Sequence, residues 1–165
     1  MARRDKINYY LDIAEVVGER STCLRRRYGA VLVSSDRIVS TGFNGSPRGR
    51  KNCCDEGVCY RKKLGVPSGE RYELCRSIHA EANCILSANR EDMAGATLYL
   101  AAMSAESGEL VPNTEPCLMC KRLIINAGIS SVIVRETRDT YRCFDTVKWV
   151  EQDDFSEVMP RGYSG

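Results

Sequence analysis

Two short stretches, His79-Ala80-Glu81 and Pro116-Cys117-Leu118-Met119-Cys120, carry the side chains best suited to chemistry in this sequence. One imidazole and two thiols make three ligands for Zn2+, and three protein ligands beside an open fourth position describe a catalytic zinc, not a closed structural one. Zinc held this way brings the pKa of a bound water down to about 7. Glu81, two residues past His79 and not needed as a ligand, is placed to move protons. Both stretches precede runs of helix formers, so each is expected in a first helical turn, where the dipole favours thiolates and residues three apart share a face. The chain holds 9 cysteines, at 23, 53, 54, 59, 75, 84, 117, 120 and 143, beside 1 histidine. Without an export signal, such richness favours metal ligation over disulfides.

The elements that must position these groups follow from periodicity. Ile7, Tyr10, Leu11, Ala14 and Val17 form an apolar stripe that predicts an amphipathic helix over 7–20. Residues 28–33 and 37–44 are β-rich runs joined by Ser34, Ser35 and Asp36, which predicts a hairpin. Residues 45–69 show no sustained period and are too long for an ordinary connector, so a function or a metal must hold them. A helix is expected over 78–88 with Ser77 as its cap, a strand over 96–102, and a polar loop over 103–114. Pro116 should open a helix over 117–127 that Gly128 stops. A strand at 131–135, a helix at 144–150 and a polar tail at 153–165 complete the reading. Strands alternating with helices after a hairpin indicate an α/β chain, a three-layer α/β/α sandwich around a mixed sheet of about five strands.

Length and composition set the outer bounds. The 165 residues, 43% hydrophobic, suit a single domain over 1–165 that builds its own core. No apolar run approaches the roughly 20 residues of a membrane span, and Asp12, Glu15 and Glu19 interrupt the opening segment, unlike a signal peptide. A cytoplasmic protein is expected, with no membrane partner. The 24 Lys plus Arg nearly balance 22 Asp plus Glu, a formal charge of +2, which argues against tracking long nucleic acid.

H-x-E followed by P-C-x-x-C is the signature of zinc nucleobase deaminases. Beyond it, CLRRRYGAVLV, TGFNGSPRG, NCCDEGVC, CRSIHAEANCI and EPCLMC, in this order from Cys23 onward, resemble the deoxycytidylate (dCMP) deaminases and their competence-protein relatives. The resemblance implies the cytidine-deaminase-like fold and hydrolysis of dCMP to dUMP and ammonia, the supply of the dTMP precursor. It implies that Glu81 protonates N3 of the pyrimidine and passes a proton to the departing amine, and that Asn44 hydrogen-bonds the sugar. Arginines near strand ends suit a monophosphate. Arg26 is taken as one contact, with Tyr141 and Arg142 resembling the family's pocket-gating Tyr-Arg element.

Cys23, the Cys53/Cys54 pair, Cys59 and Cys75 converge on the long loop, and four soft ligands can close a structural zinc site. The resemblance supports a second zinc there, with Cys53 favoured over Cys54. Cys84 and Cys143 are read as free buried thiols. Gly45, Ser46, Arg48 and Arg50 form a basic turn that could grip phosphates. In the resembled family dCTP activates and dTTP inhibits near this loop, often in a hexamer, and Mg2+ would accompany the triphosphate. The residues 103–115 link is longer and more polar than the family's. Two rival readings stand beside this one: a deaminase of another cytosine nucleoside, nucleotide or base, and a noncatalytic zinc-binding competence-type module. A merely structural zinc would not require Glu81.

Overall fold

A computed structural model describes residues 2–152, so the polar tail read at 153–165 lies outside the described residues. The first apolar stripe forms helix α1, Lys6–Gly18, whose N-cap Asp5 accepts the Asn8 N–H at 3.0 Å. The hairpin is β1, Arg26–Ser34, and β2, Arg37–Phe43, turned through Ser35 and Asp36 at positive φ. The long loop holds more order than its sequence pattern suggests: α2, Cys53–Glu56, α3, Tyr60–Lys63, and a 3-10 turn, Tyr72–Leu74. Then come α4, Ala80–Leu86, α5, Arg90–Met93, and β3, Thr97–Ser104. Helix α6, Leu118–Ala127, ends on Gly128 at φ 78°, the left-handed stop the sequence called for.

Strand β4, Ser131–Arg135, is followed by a strand that sequence patterning missed. β5, Tyr141–Asp145, takes the first residues of the helix expected at 144–150, and α7 runs instead over Thr146–Glu151. The five strands lie in the order β2-β1-β3-β4-β5. Among the described residues β3 and β4 pair in parallel and the other neighbours pair antiparallel, so the sheet is mixed, as the sequence predicts.

Alternation along the strands assigns each face. Val31, Val33, Tyr99, Ala101 and Ile133 pack with Tyr10, Leu11 and Ala14 of α1. Ala30, Leu32, Leu98, Leu100, Val132 and Val134 face the other way, onto Ala80 and Cys84 of α4 and Cys120 and Ile124 of α6. Two glycines permit this closeness. A Cβ at Gly29 would stand 1.9 Å from the Ala14 carbonyl oxygen, and one at Gly42 would stand 2.3 Å from the Cys84 nitrogen. The result is the expected three layers, with α1 the helix on one face among the described residues and the helices of the chemical motifs on the other.

Arg135 fastens α1 to the far side of the sheet. Its fully buried guanidinium pairs with Asp12, lies 2.7 Å from Glu15 Oε1, and donates to the Arg138 carbonyl at 2.7 Å. Burial works against ionisation of Asp12, but the Arg4 hydrogen bond and the Arg135 charge outweigh it and hold this carboxyl below its ordinary range. A carboxyl depressed in the folded state stabilises above its unfolded pKa of about 3.9 and loses that contribution as pH falls through the folded value. Removing Arg135 empties a fully buried guanidinium site, leaves Asp12 to Arg4 alone and takes this partner from Glu15. Arg135→Ala should therefore lose about 3 kcal/mol in urea unfolding at pH 7, and its deficit should shrink as the pH drops below 4.

Candidate active site

Both motifs lie at helix starts, with α4 beginning two residues and α6 one residue later than the patterns suggest. His79 is the N-cap of α4 and Cys117 the N-cap of α6, so Ser77 is not a cap and Pro116 precedes the cap instead of opening the helix. Neither N-cap makes a side-chain capping bond. Such a bond is typically worth about 1 kcal/mol, and both side chains turn toward one another instead. His79 Nδ1 stands 3.4 Å from Cys117 Sγ and 3.5 Å from Cys120 Sγ.

Among the described residues this trio is the group whose ligand atoms all lie within 4.8 Å of one another. A tetrahedral ion with Zn–S near 2.3 Å and Zn–N near 2.0–2.1 Å requires N···S edges of about 3.6 Å, so the donors already have the spacing and the softness for zinc. Their protons respond to that crowding. The hydrogen bond from Cys120 pushes the Cys117 thiol down to about 4 against the effect of burial, with His79 adding to it. Cys120 moves upward, because its proton serves Cys117 and because it is buried. The Cys117 hydrogen bond raises His79 against burial. A site that has already stabilised one thiolate is prepared for a divalent cation.

Glu81 sits in the first turn of α4, 3% exposed, and burial pushes its carboxyl above the usual range. It lines a cavity of about 110 Å³ together with His79, Cys117, Asn44, Arg26 and Tyr28. That volume is well below the roughly 300–1,000 Å³ of closed small-molecule sites, so a ligand larger than one ring must extend through the mouth. Asn44 is anchored there. Its Oδ1 accepts from the Tyr28 N–H at 2.8 Å and from Ser21 Oγ at 2.6 Å, and its Nδ2 donates to the Arg26 carbonyl at 2.9 Å. One amide N–H stays available for a ligand. The backbone of Gly45 exchanges hydrogen bonds with Ile78 at 3.1 and 2.8 Å, tying the end of the hairpin to the residue before His79.

Other predicted site residues fall elsewhere. Arg26 is exposed at the cavity, whereas Tyr141 and Arg142 lie on β5 and do not line it. Arg142 is bound to Glu136 Oε1 at 2.5 Å and to the Thr114 carbonyl at 2.6 Å, which holds the segment leading into Cys117. Arg48 and Arg50 are exposed on their turn, with Ser46 partly buried behind them. Cys53 is buried and faces the sulfurs of the long loop: its thiol is raised by burial and by Cys23, Cys75 and Cys59. These four do not close to the ligand spacing of the His79 group. Cys54 points outward toward Asp55. Cys84 is the inert buried thiol expected of it, pushed up to about 11 by burial, while Cys143 is exposed, not buried.

Sequence reasoning gave no cavity role to Tyr28, Arg61, Tyr72, Glu115 or Ser77, the last read only as a helix cap, and all five line the cavity. Tyr28 could have been found as the aromatic residue two positions past Arg26 on the same strand, and so on the same face. Arg61 and Tyr72 belong to a stretch without period, where pattern carries no signal.

A family model described as the cytidine and deoxycytidylate deaminase zinc-binding region matches residues 4–136. The deoxycytidylate deaminase of Mycobacterium phage D29 is 38% identical over 138 residues, covering 81% of this chain and 96% of that protein. The deoxycytidylate deaminase of Schizosaccharomyces pombe is 37% identical over 127 residues, covering 76% of this chain but only 35% of that longer protein. Among solved structures, apo dCMP deaminase from the cyanophage S-TIM5 superposes with TM-score 0.58 at 24% identity, over 91% of this chain and 94% of that one, which supports the fold. With zinc supplied, Cys120→Ala should lose one ion per chain by metal analysis. Cys143→Ser, altering an exposed thiol outside the trio, should keep the full content.

Proposed function

The chain belongs to the cytidine and deoxycytidylate deaminase zinc-binding family, and from that membership we propose that it hydrolyses dCMP to dUMP and ammonia. The observation that carries the reading is one cavity in which Glu81 stands beside His79 and Cys117, opposite Asn44 and Arg26. His79, Cys117 and Cys120 would hold the zinc, which supplies an activated water at neutral pH when bound.

The chain's own residues do the rest. Glu81, its carboxyl raised by burial, takes a proton from the attacking water and gives it to N3 of the pyrimidine as the C4–O bond forms; it then takes the proton of the new C4 hydroxyl and gives it to the amine nitrogen, so that the C4–N bond breaks, the C4 carbonyl forms and ammonia leaves. The spare Asn44 N–H donates to a sugar oxygen. Arg25 and Arg26, exposed at the cavity, meet the phosphate outside, where a group too large for the cavity must lie. The buried position of Glu81 in the cavity weighs against a noncatalytic zinc module.

The same reading extends outward from the site. Cys23, Cys53, Cys59 and Cys75 would gather around a second, structural zinc, for which the convergence on Cys53 is the support. One deaminase domain over 1–165 would work in the cytoplasm, where the 9 free cysteines stay reduced. Among the described residues no helix is long and apolar enough to cross a membrane. Leu118, Met119 and Leu123, exposed on α6, suit a homo-oligomer, a hexamer in this proposal. The dUMP formed would serve as precursor of dTMP. Gly45, Ser46, Arg48 and Arg50 would bind dCTP as activator and dTTP as inhibitor, with Mg2+ on the triphosphate.

Ammonia release from cytidine, deoxycytidine, CMP, dCMP and dCTP tests the activity directly. dCMP should be turned over fastest; equal rates for deoxycytidine would remove the phosphate contact, and silence on every substrate would remove the reaction. Glu81→Gln should keep its zinc and lose roughly 10²–10⁴-fold in turnover. For the regulation, sigmoidal dCMP kinetics should become hyperbolic with dCTP, and indifference to both triphosphates would contradict it.

A further inference from the structure

A histidine that ligates a metal usually gives its second ring N–H to a carboxylate, carbonyl or water, and that partner fixes the ring. His79 points Nδ1 at the two sulfurs. Among the described residues no hydrogen-bond partner stands at its Nε2. What stands against the imidazole is Tyr72, with ring centroids 4.8 Å apart and planes at 89°. This edge-on arrangement is the favoured one for two aromatic rings, and it restricts rotation of both.

Tyr72 is itself held from behind. The Arg61 guanidinium carbon lies 4.6 Å from the centre of its ring. Arg61 is 7% exposed, and its Nη2 donates to the Pro67 carbonyl at 2.8 Å and to the Glu70 carbonyl. The planar guanidinium thus bridges two loop carbonyls while lying on an aromatic face, a combination that a lysine ammonium cannot reproduce. Its Nε is buried without a partner, as expected of a group positioned by stacking rather than by saturating every donor. Arg61 follows Cys59, and Tyr72 precedes Cys75, so the pair spans the part of the long loop between two of its sulfurs.

We infer that Arg61 and Tyr72 are positioning residues for His79: the guanidinium fixes the phenol ring, and the phenol ring holds the imidazole with Nδ1 aimed at Cys117 and Cys120. The inference rests on the reading of His79 as a zinc ligand. Through this stack, order in the residues 59–75 loop sets how firmly the catalytic ion is held. The loop is then part of the site's rigidity and not only its wall.

The chain has 1 histidine, so a ¹⁵N-histidine-labelled sample reports on His79 alone and is blind to any metal held by the other cysteines. In the zinc-loaded protein the Nδ1 resonance should carry the metal-bound shift, and a chelator titration should release it at one midpoint. Tyr72→Leu should lower that midpoint at least tenfold. Tyr72→Phe, which keeps the ring, should restore it. Arg61→Lys should lower it in the same direction and carries the test if Tyr72→Leu fails to fold. Midpoints within twofold of the parent in whichever of Arg61→Lys and Tyr72→Leu fold would overturn the inference. A parent protein whose Nδ1 shows no zinc-dependent shift would instead overturn the metal reading beneath it.

Discussion

Everything chemical in this molecule depends on two helices starting opposite one another, so that an imidazole and two sulfurs are forced to within 3.4 and 3.5 Å. Unliganded, such an arrangement is costly: Cys120 is buried and His79 and Cys117 are partly buried, thiol protons compete, and both helices forgo a side-chain cap. Helix dipoles offset part of that cost, since each N-terminus favours negative charge on the groups it presents. A divalent cation would offset more, because it replaces competing protons with a shared positive charge.

The sheet makes the meeting possible. Gly42 lets α4 lie against β2 at a distance that any side chain would forbid, and the Gly45–Ile78 bridge sets the residue before His79. On the other side, Arg142 clamps the Thr114 carbonyl and so fixes the approach to Cys117. The cavity forms where these two tethered ends face the strand end at Tyr28, and the Cys-rich loop closes it through Arg61 and Tyr72.

What was legible in the sequence was what repeats or what is chemically singular. Tyr10, Leu11 and Ala14 recur at helical spacing and are buried on the sheet, and His79, Glu81, Cys117 and Cys120 announce their chemistry by type. The fold class and the central trio could therefore be read before any coordinates. β5 escaped because an edge strand half exposed along Tyr141–Asp145 has no continuous apolar run. The helix starts moved by one or two residues because local capping rules assume a side chain free to cap, and at His79 and Cys117 it is engaged elsewhere. Arg61 and Tyr72 were illegible for another reason: their roles come from stacking across a loop, which leaves no period in the chain.

Anomalous diffraction at the zinc edge, from crystals of the zinc-loaded protein with dCMP, would show whether an open, three-ligand ion stands beside Glu81. A peak is expected at bonding distance from His79 Nδ1, Cys117 Sγ and Cys120 Sγ, with no fourth protein ligand and the pyrimidine ring next to Glu81. A peak absent from this position, or one whose fourth place is filled by another side chain of the protein, would contradict that coordination.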